Sequence, residues 1–413
     1  MGKKRVVILG AGFGGLYTYL YLKRARAANN LEIILVNKTN YFLFTPMLHE
    51  VATGGLNPQH VSESLREALR TYTPDFLQAD VTAVDLRNQV VLTTLCDMEY
   101  DYLVIALGAE TNFYDIPGAE KYALELKNIQ DALSIRRRII DVFELASRTA
   151  DPKERKGLLQ FLIVGGGATG VELVAEISEF IFHTMARLYA TIDFEKEVRL
   201  ILINSDEEIL KLFHPSLRTK AHETLQKKHV EIHTGCVVKE VSNDGIRTMD
   251  NQFIHGHTII WVAGVKPVGV KFPTRPEFDK TGRIVVDRFL RVKEYENVSA
   301  IGDIASFAGL DGRPLPMFAQ VAVKEAKIVA KNIFRSIAGK PLTPFAYKKT
   351  GDLISLGQWM AIGDIMGFQI YGRFTWWLWR TVYLFKFASW KKRIQIAVDW
   401  TLNLFNPRDT SKL

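Results

Sequence analysis

Only two cysteines occur in the 413 residues, Cys96 and Cys236. They are too few for a disulfide framework and too far apart in sequence for a C-x-x-C redox pair or a thiolate metal site. An enzyme that relays electrons through a cysteine pair is thereby disfavoured, and both thiols read as small buried hydrophobes. Long apolar runs are also missing. The first apolar run of the tail is cut by Arg380 and Lys386, short of the ~20 residues that a membrane-spanning helix needs. No His/Cys cluster points to a metal: His49, His214 and His222 stand isolated and read as structural or exposed. The net charge of +8 comes with no nucleic-acid motif; it suits an anionic membrane surface as well as many inert soluble proteins. The start, MGKKRVVILGAG, resembles the basic end of a signal peptide, but its apolar run is broken at once by glycine. It reads as the first strand of a fold on the reducing, cytoplasmic side.

What the chain does have is glycine in two places where glycine carries chemistry. Hydrophobic runs that read as buried parallel strands enter VVILGAGFGGL, with Gly10, Gly12 and Gly15, and FLIVGGGATGVEL, with Gly165, Gly167 and Gly170. Each triplet has G-x-G-x-x-G spacing and opens a helix-like segment. The first glycine permits the tight turn, the second lets backbone approach a pyrophosphate, and the third allows close helix packing. An anion then falls at the helix N-terminus, where unpaired N–H groups and the macrodipole favour it. A single triplet can be an ordinary strand-to-helix turn; two in the same context predict two dinucleotide sites.

The fold class that follows is α/β, with two Rossmann-like dinucleotide-binding domains, the second inserted in the first, and a C-terminal aromatic-rich membrane-associating segment. We divide the chain at 1–115, first part of the first domain; 116–264, second domain; 265–340, first domain resumed; and 341–413, tail. In the first part a helix is expected over Gly14–Arg26 and a strand over Leu31–Val36. The stretch 40–55, apolar but broken by Pro46 and paired glycines, predicts a site-lining loop and short helix. Alternation over Asp80–Thr93 predicts a hairpin, and DYLVIALGAETN a buried strand ending in a glycine turn before the Pro117-Gly118 crossover. A helix over Asn128–Ala146 leads to the second loop, whose pattern includes a strand over Val198–Asn204. YENVSAIGDIASF predicts a strand presenting Asp303 at its end, and PMFAQVAVKEAKIVAKNI a helix.

The tail differs in kind, since five of the seven tryptophans follow Ile370. Its aromatics suit a headgroup region and Lys391, Lys392 and Arg393 suit anionic lipid, so it is expected to lie on a bilayer. A dimer interface or a domain-covering lid would have the same composition. Residues 394–405 alternate as a strand would, yet Gln395, Asp399 and Asn403 form one polar stripe of a helix, which we prefer. Removal of 370–413 is expected to leave both nucleotide domains intact.

Taken in order, GAGFGGL, YFLFTPMLHEVATGGL, YLVIALGAETNFYDIPG, IVGGGATGVELVAEI, IGDIASF, PMFAQVA and the aromatic, basic tail resemble the type II NADH:quinone oxidoreductases over essentially the whole chain. The resemblance implies a non-pumping respiratory flavoenzyme that takes NADH, uses FAD and passes two electrons to a membrane quinone. It further implies a homodimer held peripherally on the cytoplasmic face of the membrane against anionic lipid, with no nucleic acid and no metal. For FAD it implies Gly10, Gly12, Phe13, Gly14 and Gly15 at the pyrophosphate, and Asp303 at the ribityl-phosphate region. Thr45, Pro46, Ala319 and Gln320 would line the isoalloxazine, with Asn37, Lys38, Val81 and Gly108 elsewhere on the cofactor. For the nucleotide it implies Gly165, Gly166, Gly167, Ala168, Thr169 and Gly170, together with Asn204 and Gly264. Gln320 would stand at the quinone pocket. Glu172 would sit near the nicotinamide as a gate or proton relay; it also reads as a first-turn helix glutamate favoured by the dipole.

Three positions depart from the family pattern. Asn37 and Asn204 replace the acids that hold ribose hydroxyls at the ends of the second strands. At Asn204 the change removes a repulsion, so NADH is expected as the better donor with measurable NADPH use. Lys324 replaces a glutamine; it would either stabilise reduced flavin or join Lys327 and Lys331 on a basic helix face. The rivals are a sulfide:quinone reductase-like enzyme, which the cysteine positions disfavour, and a nicotinamide-binding redox sensor that does not turn over.

Overall fold

In the computed structural model, residues 3–24, 30–69, 75–309, 312–387 and 389–411 are described. They pack into two compact units. The first comprises Met1–Leu43, Ser62–Glu110 and Val265–Lys348; the second comprises Phe44–Val61, Thr111–Gly264 and Lys349–Leu413. Residues 44–61 and the tail thus pack with the second nucleotide segment, where the sequence had suggested the first domain and a domain of their own.

The first unit is built on five parallel strands in the spatial order Val298–Ala300, Tyr102–Ile105, Lys4–Leu9, Leu31–Asn37 and Phe76–Gln78. Val6, Val7, Ile8 and Leu9 are fully buried, as a central parallel strand covered on both faces requires. The helix Phe13–Lys23 follows the central strand and packs against the helix Ala319–Ile337. That second helix buries Val321, Ala322, Ala326, Val329, Ala330 and Ile333, three and four residues apart, and leaves Lys327 and Lys331 exposed. The expected end of the first helix at Arg26 lies outside the described residues. The expected hairpin forms from Val81–Asp85 and Val90–Thr93 and gains a third strand, Asp97–Glu99.

The second unit repeats the plan. Its parallel sheet runs Leu124–Glu125, Thr258–Trp261, Gln160–Val164, Arg199–Ile203 and Val230–His233. Its loop helix, Ala168–Glu179, leaves the central strand as the first one does. The lead-in helix runs Ile129–Ala146 and starts with a reciprocal capping box: Asn128 accepts from the Asp131 N–H, and Asp131 accepts from the Asn128 N–H. An antiparallel sheet of Gly351–Ser355, Ala361–Ile365 and Phe368–Gly372 precedes two tail helices, Arg373–Lys386 and Trp390–Phe405. Residues 394–405 are therefore helical, and their alternation gives way to burial of Ile396 and Trp400 on one helix face.

Cys96 corrects the expectation of burial, being exposed, whereas Cys236 is partly buried and packs against the hydrophobic core of the second unit. Cys96 sits in the tight turn between two short strands, where Thr93 donates its hydroxyl to the Cys96 carbonyl, 2.7 Å, and the side chain has no core to enter. Replacing Asn128 by Ala leaves the Asp131 N–H without its side-chain acceptor and is expected to cost about 1 kcal/mol; a lowered urea midpoint checks this, and Asn128→Asp should recover most of it.

Candidate functional site

In a parallel sheet the strand ends share one edge, and that is where the predicted residues collect. In the first unit Gly10, Gly108 and Asp303 follow the carboxyl ends of Lys4–Leu9, Tyr102–Ile105 and Val298–Ala300, and Asn37 is the last residue of Leu31–Asn37. A Cβ on Gly15 would stand 1.8 Å from the Gly10 carbonyl oxygen, so only glycine lets the helix start so close to the strand. A Cβ on Gly12 would meet nothing within 4 Å, which leaves open space over the N-terminal N–H groups, as a pyrophosphate needs. Gly14 and Gly15 are buried and Phe13 is half-buried, its ring edge-on to Phe42 at 5.2 Å. Asn37 holds this loop: its Oδ1 accepts from the Ala11 N–H at 2.9 Å and its Nδ2 donates to the Thr39 carbonyl and hydroxyl. Lys38, next to it, is exposed.

The helix Ala319–Ile337 begins with Ala319 and Gln320, both half-buried. Two turns in, the buried Glu325 accepts a hydrogen bond from the Gly302 N–H at 2.7 Å, and so fixes the turn that carries Asp303. Burial, with the Asp303 charge in support, pushes Glu325 up to about 7. Sequence reading missed Glu325, although a glutamate on the apolar face of that helix was a visible signal. Lys324 donates to the Lys348 carbonyl and lies 4.9 Å from the Tyr347 ring centroid. Val81 begins the separate antiparallel sheet rather than ending a parallel strand, and Thr45 and Pro46 belong to the second unit.

The second loop has the same clearances. A Cβ on Gly170 would stand 1.8 Å from the Gly165 carbonyl oxygen, while one on Gly167 would meet nothing within 4 Å. Gly167, Ala168 and Thr169 are exposed at the start of the loop helix, and Gly166 is buried behind them. Gly264 follows the strand Thr258–Trp261, and a Cβ there would strike the Tyr114 hydroxyl at 2.2 Å. Asn204 is buried, and both ends of its amide are engaged within the protein.

The same helix then does something its sequence did not announce. Glu172, Glu176 and Glu179, four and three residues apart, are all buried. Glu172 accepts from the Ser355 N–H at 3.2 Å, Glu176 pairs with Arg408, and Glu179 pairs with Lys228 and His183. Glu50, also buried, accepts from the Trp400 indole N–H at 2.7 Å. Arg380 lies 3.7 Å from the Trp376 ring centroid and 4.9 Å from that of Trp400. Desolvation, the Ser355 bond opposing it and Glu50 and Glu176 adding to it, pushes Glu172 up to about 8. Burial and then the Glu176 charge push Glu50 upward as well. Burial opposes ionisation of Glu179 too, but His183 and Lys228 outweigh it and hold the group at about 2. Glu172 is thus a buried acid whose proton is held to about pH 8, and it lies beyond the first turn of its helix, in which the dipole reading had put it. His49, read as isolated, is buried beside Trp379 and driven down to about 4, mainly by burial.

Two open glycine cradles on two parallel sheets that share the order of four of their five strands define a protein of the two-dinucleotide oxidoreductase class. The sequence profile described as pyridine nucleotide-disulphide oxidoreductase matches residues 4–326, and that of the NDH2 C-terminal domain matches 350–409. A type II NADH:quinone oxidoreductase, Ndh, of Mycobacterium tuberculosis is 33% identical, the match covering 98% of this chain and 89% of that protein. A probable NADH dehydrogenase of Dictyostelium discoideum is 33% identical, over 99% of this chain and 91% of that one. The fold matches a solved NDH2 of Plasmodium falciparum in complex with NADH with a TM-score of 0.90 at 23% identity, covering 99% of this chain and 100% of that one. The chain belongs to the type II NADH:quinone oxidoreductase family.

The two glycine positions should fail differently. Gly15→Ala is expected to destabilise the fold and to purify without its dinucleotide, whereas Gly12→Ala should keep its thermal midpoint as apoprotein and lose only dinucleotide affinity; equal loss of stability in both would contradict the clearances. The buried acid gives a pH test. Unfolded, Glu172 releases its proton near 4.5; folded, it keeps it to about 8. Between those values the unfolded chain binds fewer protons, so stability falls as pH rises through that window. Glu172→Gln should therefore show a shallower fall of thermal midpoint than the parent, and parallel curves would contradict the assignment.

Proposed function

We propose that this chain oxidises NADH and reduces a membrane quinone, with FAD held by the first glycine cradle and NADH by the second. The observation that carries the reading is the duplicated cradle in a chain without a cysteine pair, which leaves a diffusible acceptor to take the electrons. FAD, when bound, supplies the chemistry: it accepts the hydride and returns two electrons. The chain supplies the rest. N–H groups at Gly12–Gly15 and Gly167–Gly170 bind the two pyrophosphates, and the Glu325 bond to Gly302 steadies Asp303 toward the flavin chain. Gln320 orients the acceptor, and Glu172, protonated at neutral pH, holds the proton that quinone reduction consumes beyond the hydride.

The tail is proposed as the membrane contact, on the strength of an inverted amphipathic helix. Its polar stripe turns inward: Asp399 pairs with His60 and accepts from the Asn57 N–H, and Asn403 donates to the Gly55 carbonyl. Its apolar stripe, Trp390, Ile394, Val398, Leu402 and Phe405, faces outward, with Phe405 81% exposed. Such a face requires an apolar partner, and Lys391 at its start suits anionic headgroups. Among the described residues no helix is long and apolar enough to cross a membrane. The inward anchors also change the expectation for truncation, because removing the tail would leave Glu176 without Arg408 and Glu50 without Trp400.

NADH oxidation by purified, lipid-supplemented protein should be sustained by added quinone; single reduction without turnover would mark a sensor, and turnover with sulfide as donor would mark the rival enzyme. Ile394→Glu combined with Val398→Glu should release the protein from anionic vesicles while nucleotide binding persists. If the pair instead leaves flotation unchanged and converts a dimer to monomer, the stripe is a contact between copies.

A further inference from the structure

Asn204 occupies the place where a carboxylate would accept from the adenosine ribose of NADH, yet its amide is fully used inside the protein. Its Oδ1 accepts from the Gly166 N–H at 3.1 Å, and its Nδ2 donates to the carbonyls of Asp206 and Glu208, each at 3.0 Å. Gly166 is held from its other side as well, since its carbonyl accepts from the Leu210 N–H at 2.8 Å. Residues 204–210 are thereby curled against the residue that precedes the open Gly167, and Ser205, Asp206, Glu207 and Glu208 are exposed on that turn. A carboxylate at 204 could still accept from Gly166 but would face two carbonyls it cannot donate to, so this turn requires the amide. The arrangement is repeated in the first unit, where Asn37 ties Ala11 in the same way, so the amide at the strand end serves the loop in both halves.

The turn carries three acids against two bases. Asp206 is paired with Lys211 at 2.7 Å, and Glu208 with Arg218, whose Nε is further committed to the Phe213 carbonyl. Glu207 has no ion-pair partner among the described residues and is the surplus charge; its carboxylate leans toward Gly235, where a Cβ would stand 3.2 Å from Oε1. We infer that Glu207 is the residue that rejects the 2′-phosphate of NADPH, and that Asn204 positions it by fixing the turn to the glycine loop. The inference rests on the reading of this loop as the NADH site. A second dianionic group placed on the ribose meets an unneutralised carboxylate, and both neighbouring cations are already engaged, so neither is free to receive it.

Calorimetric titration of the holoenzyme with NAD⁺ and NADP⁺, which bind without reaction, separates the two levels. The parent should bind NAD⁺ more tightly than NADP⁺, with the ratio shrinking as salt is added. Glu207→Gln should narrow the ratio roughly three- to tenfold by improving NADP⁺ alone, and should abolish its salt dependence. Asn204→Asp should weaken both nucleotides together. An unchanged ratio in Glu207→Gln, a loss of both nucleotides in that variant, or a larger change of ratio in Asn204→Asp would each overturn the inference. Failure of the parent to bind NAD⁺ at all would instead overturn the reading of the loop as the nucleotide site.

Discussion

A helix can leave a buried parallel strand with its N–H groups turned to an anion only if its first turn lies almost on the strand's last carbonyl. Here that approach leaves no room for one carbon atom, at Gly15 over Gly10 and at Gly170 over Gly165. The rest of each unit follows from it. Because the turn is so tight, Gly12 and Gly167 face open space, and the strand-end amides of Asn37 and Asn204 reach the loop backbone. Parallel pairing then brings the ends of the neighbouring strands, with Asp303 in one unit and Gly264 in the other, to the same edge.

The second unit adds a different physics to the same plan. Three glutamates on one face of the nucleotide helix are withdrawn from water, and each is handled differently. Glu179 is ionised between Lys228 and His183, Glu176 is matched by Arg408, and Glu172, with an amide N–H but no ion pair among the described residues, keeps its proton. Burial is common to all three, and for Glu172 and Glu179 the partner decides the charge state. Two of the partners in this buried network, Trp400 and Arg408, come from the tail, so the segment proposed to meet the membrane is also part of the interior of this unit. Breaking such a pair leaves a buried charge uncompensated, which costs far more than the pair contributes when intact.

Much of this was legible in one dimension. Local strand-to-helix patterns fell where periodicity put them: the lead-in helix runs Ile129–Ala146 with Asn128 as its cap, and the second loop opens a helix at Ala168. The helical reading of 394–405 held because burial of Ile396 and Trp400 follows a helical period. What misled was solvent direction. The polar stripe of Gln395, Asp399 and Asn403 was visible, but a stripe does not say which way it faces, and here it faces the protein. Cys96 differs likewise, because a residue type's usual burial says nothing about a turn between two short strands.

The sequence by itself determined the two dinucleotide loops, the family and the want of a thiol relay, since glycine spacing and cysteine count act locally and need no partner. Only the tertiary structure decided which charges are real. Glu50 and Glu172 look alike as letters; their states depend on groups as distant along the chain as Ser355 and Trp400. The same holds for Asn204, which could hold a ribose in isolation but spends its amide on Gly166, Asp206 and Glu208. Desolvation and hydrogen-bond satisfaction are properties of a folded environment, and no spacing rule contains them.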